Sequence, residues 1–288
     1  MNFEDNVTRF LFDNHAVRGE ITQLHETLEA FLRDRPYPLS IRKLMMELSC
    51  AAVLVASTLK DGSEIMLQIK GGDSGSLKYA LVNIRQDLSF YGSAVLKDGC
   101  TAGVHDTLAD LFGTNGIMTM SVFPADGPKW QGVVPLNPAS LGAALEDYFR
   151  ESQQLPTRFF IWSEAEEYLC GGLILQIIPN EANNLNSLEH LSVLTATLTA
   201  EELFGLAREE ILHRLFAKED LRLFAPQRIS FRCICSKERC LNALAGLRAG
   251  ELESLVSEGG TEMTCQHCGR TFNFTKDELQ ALLMKNSQ

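Results

Sequence analysis

Phe231-Arg232-Cys233-Ile234-Cys235-Ser236 and, further on, Cys265-Gln266-His267-Cys268-Gly269 set four thiols in two tight pairs, with 29 residues between Cys235 and Cys265. A CxxC pair lets two thiolates converge on one ion while nearby backbone N–H groups donate to sulfur. Gly269 permits the left-handed turn that closes such a knuckle. The CxC half is unusual, because its cysteines stand near the limit of what local geometry allows. Four thiolates hold Zn²⁺ tetrahedrally and leave it no open position, which marks a structural site. The pattern predicts one zinc held by Cys233, Cys235, Cys265 and Cys268. Cys240 is a fifth thiol nearby and is read as a bystander. His267, between two ligands, is read as pointing outward.

The unit carrying these thiols spans residues 228–288. A helix is expected over 241–255, interrupted near Gly246 and Gly250. Glu258-Gly259-Gly260 reads as a turn. Thr275-Lys276-Asp277-Glu278 is a capping box, opening a last helix with Leu279, Leu282 and Leu283. So short a unit has a marginal core. Structural zinc contributes an apparent ~10–16 kcal/mol in finger peptides, against domain stabilities of ~5–15 kcal/mol. Losing the metal should therefore unfold it. Zinc holds sulfur as thiolate, the form oxidants attack, and one disulfide removes two ligands. On spacing alone the site is either a fixed staple or a redox switch.

Upstream, residues 179–227 read as a helical linker. Asn180-Glu181-Ala182-Asn183-Asn184 is a polar break, and residues 187–225 read almost wholly as helix. Thr199-Ala200-Glu201-Glu202 is a capping box. Phe204, Ala207, Ile211 and Leu215 form an apolar stripe with charges opposite. The stretch 187–225 holds seven acidic and four basic residues and has no strand of its own to pack on, so it must dock elsewhere. It is an ordinary core helix or a conditional lid.

Residues 1–178 read as a mixed core domain. Helices are expected over 14–31, 39–59 and 141–153, and strands over 64–69, 77–84, 116–123, 131–136 and 172–178. Lys60-Asp61-Gly62 is a turn signal. The elements do not alternate strictly, so the fold class expected is α+β.

The chain has 288 residues, 45% hydrophobic and 22% charged, with a formal net charge of −11. That balance argues against nucleic acid and against an anionic membrane surface. The start, Met1-Asn2-Phe3-Glu4-Asp5, lacks the basic-then-apolar pattern of a signal peptide. The longest apolar run, residues 50–56, is too short to span a bilayer. A soluble, cytoplasmic protein is expected. Five of the eight cysteines crowd into residues 233–268, which suits a reducing compartment better than a disulfide framework.

No GxSxG, HExxH or Walker A pattern is present. Gly71-Gly72-Asp73-Ser74-Gly75 reads as a hairpin turn. The chain is read as a non-enzyme. The alternatives are a thiol oxidoreductase using Cys265 and Cys268, or a zinc-ribbon module for nucleic acid. Residues 228–288 carry eight basic and seven acidic residues, so no basic footprint supports the latter.

Residues 231–239, with Cys265-Gln266-His267-Cys268 and Phe272-Asn273-Phe274, resemble the 33 kDa heat shock protein family of redox-regulated holdase chaperones. Arg18-Gly19-Glu20, Tyr37-Pro38, Leu67-Gln68-Ile69-Lys70-Gly71 and Gly171-Gly172-Leu173-Ile174-Leu175-Gln176 look like family segments in family order. The likeness covers essentially the whole chain. Two departures stand out: Ser152-Gln153-Gln154-Leu155-Pro156-Thr157 carries Gln153 where the family usually has Glu, and Cys240 is extra. The resemblance implies an inactive, zinc-bound reduced state. Oxidation then forms Cys233–Cys235 and Cys265–Cys268 disulfides, releases Zn²⁺ and unfolds the C-terminal unit. The linker loosens, and the exposed surface binds unfolding, aggregation-prone client proteins without ATP. It also implies a homodimer when oxidised.

Overall fold

The computed structural model describes residues 4–59, 63–179 and 185–286, with side chains to residue 284. The turn read at Lys60-Asp61-Gly62 and the polar break at 180–184 lie outside these. The chain divides into two compact units, Met1–Arg232 and Cys233–Gln288.

In the first unit the order is β1 (Asn6–Phe12), β2 (Val17–Leu24), α1 (Glu26–Leu32), α2 (Leu39–Thr58), β3 (Glu64–Lys70), β4 (Leu77–Ile84), β5 (Ser89–Leu96), α3 (Leu108–Phe112), β6 (Ile117–Phe123), β7 (Trp130–Pro135) and α4 (Leu141–Glu151). Next come β8 (Thr157–Glu164), β9 (Leu169–Ile177), α5 (Leu185–Thr195), α6 (Ala200–Gly205), α7 (Arg208–Leu215), β10 (Leu221–Leu223), β11 (Gln227–Arg228) and β12 (Ser230–Phe231). The fold class is α+β.

One sheet runs β10-β1-β2-β9-β8, with β11 also on β1; the other runs β12-β5-β4-β3-β6-β7. Among the described residues every pairing in these sheets is antiparallel except β12 on β5. Helix α2 packs against strands of both sheets. Its sequence explains this: Leu44, Met45, Leu48, Cys50, Val53 and Leu54 are all buried, so it is apolar around its circumference. Ser49, Ser57 and Thr58 satisfy their hydroxyls on carbonyls of the preceding turn. The helix read at 39–59 and the hairpin at Gly71–Gly75, between β3 and β4, stand as expected.

The helix expected over 14–31 is not there. Residues 17–24 are a strand paired to both β1 and β9, and only Glu26–Leu32 is helical. Val17, Ile21 and Thr22 favour extended backbone, and pairing on both sides outweighs the helical spacing. Gly19 confirms the local packing: a Cβ there would stand 2.2 Å from the Phe10 ring.

The continuous helix expected over 187–225 is also corrected. It is three short helices and the strand β10, which pairs with β1 through Phe10 and Leu223. The threonine-rich run after α5 stops helix propagation, and Thr199 starts α6 afresh with the predicted capping box, accepting from the Glu202 N–H. Phe204, Ile211, Leu212 and Phe216 bury against Phe10, Phe12, Ile21 and Leu173 in a cluster separate from the one around α2. The segment thus docks on the outer face of the first sheet.

The second unit holds α8 (Lys237–Ala245), α9 (Ala249–Ser257), the hairpin β13 (Gly260–Thr264) and β14 (Thr271–Thr275), and α10 (Lys276–Asn286). Among the described residues its buried core is four side chains, Leu244, Leu252, Phe274 and Leu279. The predicted capping box opens α10: Thr275 and Glu278 exchange bonds at 3.0 and 3.4 Å. Residues 228–232 sit with the first unit rather than the second, because β11 and β12 pair with β1 and β5.

Candidate metal centre

Cys233 and Cys235 lie in the loop that enters α8. Ser236 caps that helix, accepting from the Arg239 N–H at 3.1 Å. The Arg239 guanidinium donates back to the Ile234 carbonyl at 3.2 Å, tying the CxC loop to the helix. Cys265 and Cys268 lie in the turn of the β13–β14 hairpin. The Cys265 N–H donates to the Arg270 carbonyl, and the Gly269 N–H to the Cys265 carbonyl, each at 2.9 Å. Gly269 takes a φ of 72°, the left-handed conformation that closes the knuckle.

These loops bring together the four cysteines named from the sequence. Their Sγ atoms all lie within 4.8 Å of one another. The shortest separations run across the pairs, 3.6 Å for Cys233–Cys265 and 3.3 Å for Cys235–Cys268. A tetrahedral zinc with Zn–S bonds of about 2.3 Å puts its sulfurs about 3.8 Å apart by the geometry of the tetrahedron. The cluster therefore fits a zinc-sized ion with small adjustments. The His267 N–H donates to Cys265 Sγ at 3.4 Å, the kind of N–H···S contact a knuckle provides.

The sulfurs do not titrate alike. Burial pushes the Cys233 thiol up to about 11. Burial and the sulfur of Cys268 push Cys235 further up. At Cys265 burial also raises, but the N–H of His267 and the neighbouring sulfurs outweigh it, and that thiol is lowered. A bound cation would reverse the balance and hold all four as thiolates, so loading releases protons.

Cys240 is not among the four; it lies on α8, packed against the small core. All eight cysteines are free thiols. Cys50 and Cys170 are buried in the first unit, where they share a hydrogen bond, and Cys100 is exposed.

A second polar cluster has no local sequence signature. The Glu219 carboxylate, just before β10, accepts from Asn14 Nδ2 at 2.8 Å and meets ring nitrogens of His15 and His190 at 2.9 Å each. These hydrogen bonds, His190 first, hold its carboxyl down at about 2. His15 also contacts the Ser187 hydroxyl at 2.9 Å. Residues 14 and 15 belong to the β1–β2 connection and 187, 190 and 219 to the docked segment. The cluster therefore fastens the two together.

Similarity to known proteins agrees with this geometry. The sequence model of the Hsp33 protein family matches residues 5–275. A 33 kDa chaperonin of Yersinia pestis (strain Pestoides F) is 39% identical over 290 residues, covering 100% of this chain and 98% of the relative. That of Yersinia pseudotuberculosis serotype O:1b matches equally. The crystal structure of the 33 kDa chaperonin of Thermotoga maritima superposes with a TM-score of 0.83 at 21% identity, covering 98% of this chain and 99% of that one. No described helix is long and apolar enough to cross a membrane. By full-length likeness to these chaperonins, and with its cysteine cluster in place, the chain belongs to the Hsp33 protein family.

Proposed function

We propose that this Hsp33-family chain is a redox-regulated holdase of the cytoplasm rather than an enzyme. Cys233, Cys235, Cys265 and Cys268 hold one Zn²⁺ in the reduced, inactive form. An oxidant such as peroxide joins Cys233 to Cys235 and Cys265 to Cys268. Forming each disulfide passes two electrons from its pair of thiolates to the oxidant, and the two bonds together strip the ion of all four ligands. The region from residue 228 to the C-terminus then loses its organising centre and unfolds. The linker, residues 179–227, loosens from the core domain, residues 1–178. The uncovered apolar face binds unfolding clients, and the opened chain pairs as a homodimer.

The observation that carries this reading is the packing of four mutually close thiols into a unit whose core is only four buried side chains. Such a core contributes too little alone, so metal and fold stand or fall together. The docked segment supports the second half. Removing it would bare Phe10, Phe12, Ile21, Leu173 and Leu175, a contiguous apolar patch of the kind that binds other chains. The test is light scattering from a thermally unfolding client. Zinc-loaded reduced protein should leave aggregation unchecked and peroxide-treated protein should suppress it. Equal suppression in both states would overturn the switch.

A further inference from the structure

β8 ends the first sheet, paired with β9 alone. Its carbonyls show which residues face outward: that of Phe160 points to Gly172 on β9, and that of Phe159 to Gly142 on α4. Phe159, Ile161 and Ser163 therefore turn their backbone groups away from the sheet. Helix α4 covers the first of them, the Glu146 carboxylate accepting from the Phe159 N–H at 2.9 Å. Ile161 and Ser163 have no such cover, and among the described residues no hydrogen bond takes up their outward backbone groups. They line an open groove of about 1120 Å³ between α2, α4 and the loop before α3.

Unpaired strand edges are normally kept short, covered or bulged. This one instead opens into a cleft with an apolar floor, Leu44, Leu108 and Leu111, and an acidic rim, Asp106, Glu164, Glu166 and Glu167. Among the lining residues Lys43 is the lysine set against these acids, and it already pairs with Glu47 at 3.8 Å. The side chains of β8 divide between two faces. Phe159 and Ile161 face the α2 core. Phe160 and Trp162, stacked at 6.3 Å, face the cluster covered by residues 185–223.

We infer that the open stretch of the β8 edge takes an extended client segment, alternating apolar and basic residues, by strand addition. This rests on the holdase reading and names what that surface selects. A strand added here bonds to Ile161 and Ser163 and sets its lysines against Glu164, Glu166 and Glu167. It lays its alternate side chains along the same sheet face that release of residues 185–223 uncovers. Main-chain bonds supply affinity without sequence demands, which suits a promiscuous binder. Two outward residues take a short extended segment, and a whole client is held by the groove and the uncovered face together.

The probe is an eight-residue peptide alternating lysine and valine, titrated into the full chain at low salt and followed by fluorescence anisotropy. Two controls are a copy N-methylated on two adjacent central residues, which blocks both its edges, and a glutamate-for-lysine copy. Both should bind at least tenfold more weakly than the parent. The exposed triple variant Glu164→Lys, Glu166→Lys, Glu167→Lys should weaken the parent by a similar factor. No binding of the parent, or equal binding of the blocked copy or by the variant, would overturn strand addition. Aggregation assays on the oxidised protein separate the two ideas. If wild type suppresses and the variant suppresses a basic client equally, the groove falls and the holdase stands. If oxidised wild type does not suppress, the holdase falls, and the peptide titration still decides the groove.

Discussion

At the scale of single residues the four sulfurs carry different loads from the cysteines around them. Under the proposed function Cys265→Ser removes a zinc ligand rather than a supporting contact. Its loss of zinc affinity should exceed the about 10–100-fold typical of second-shell losses, measured by competition with a chromogenic chelator. Cys240→Ser should leave zinc at one per chain, because Cys240 packs on the core of α8 and is outside the four-sulfur group. Glu20 gives the other unit a pH dependence near neutrality. It is fully buried on β2, 3.7 Å from Arg9, and burial lifts its carboxyl to about 7 against the opposing pull of Arg18 and Arg9. Its folded pKa is raised, so its contribution is full below the unfolded value of 4.5 and is lost as pH rises through about 7. Glu20→Gln should therefore gain stability over wild type at pH 8, on the order of 1–3 kcal/mol, and little at pH 5. Denaturant melts at the two pH values check this.

At the scale of elements the docked segment is the part that moves under the proposed function. Glu219 binds the β1–β2 connection and α5 at once, and its side chain is only 9% exposed. Glu219→Ala should loosen residues 185–223 by about 1.5–3 kcal/mol, the range for hydrogen bonds to a charged group. The readout is faster proteolysis within that segment in the reduced protein, with zinc still bound. The carboxyl is depressed to about 2, so its contribution is full above 4.5 and is lost as pH falls toward 2. Wild type should lose the protection over that window, and Glu219→Ala should show no such step. Some elements are legible in the sequence and others are not, for physical reasons. Helix α2 and the capping boxes at Thr199 and Thr275 were legible because their signals are local. Strand β2 was misread because it is buried on both faces, which erases alternation. The four-thiol cluster was legible because its cysteines come as two local pairs. The Glu219 cluster was not, since His15 and Glu219 are 204 residues apart.

At the scale of the whole molecule the two units differ in what holds them. Among the described residues the first unit has two apolar clusters built on two sheets, while the second has four buried apolar side chains and the thiol centre. Chelating the metal from reduced protein should unfold the second unit and leave the first folded. Amide hydrogen exchange would register this as lost protection confined to residues beyond 232. Cooperative unfolding of the entire chain on chelation would show that the centre supports more than its own unit. Under the proposed function the state of Cys233, Cys235, Cys265 and Cys268 sets chaperone activity. The most direct measurement oxidises the protein in graded steps and follows released zinc and client aggregation in the same samples. Suppression should be absent at zero release, rise in step with zinc loss, and reverse when thiols are reduced and zinc is restored. Full suppression by reduced protein still carrying one zinc would contradict it.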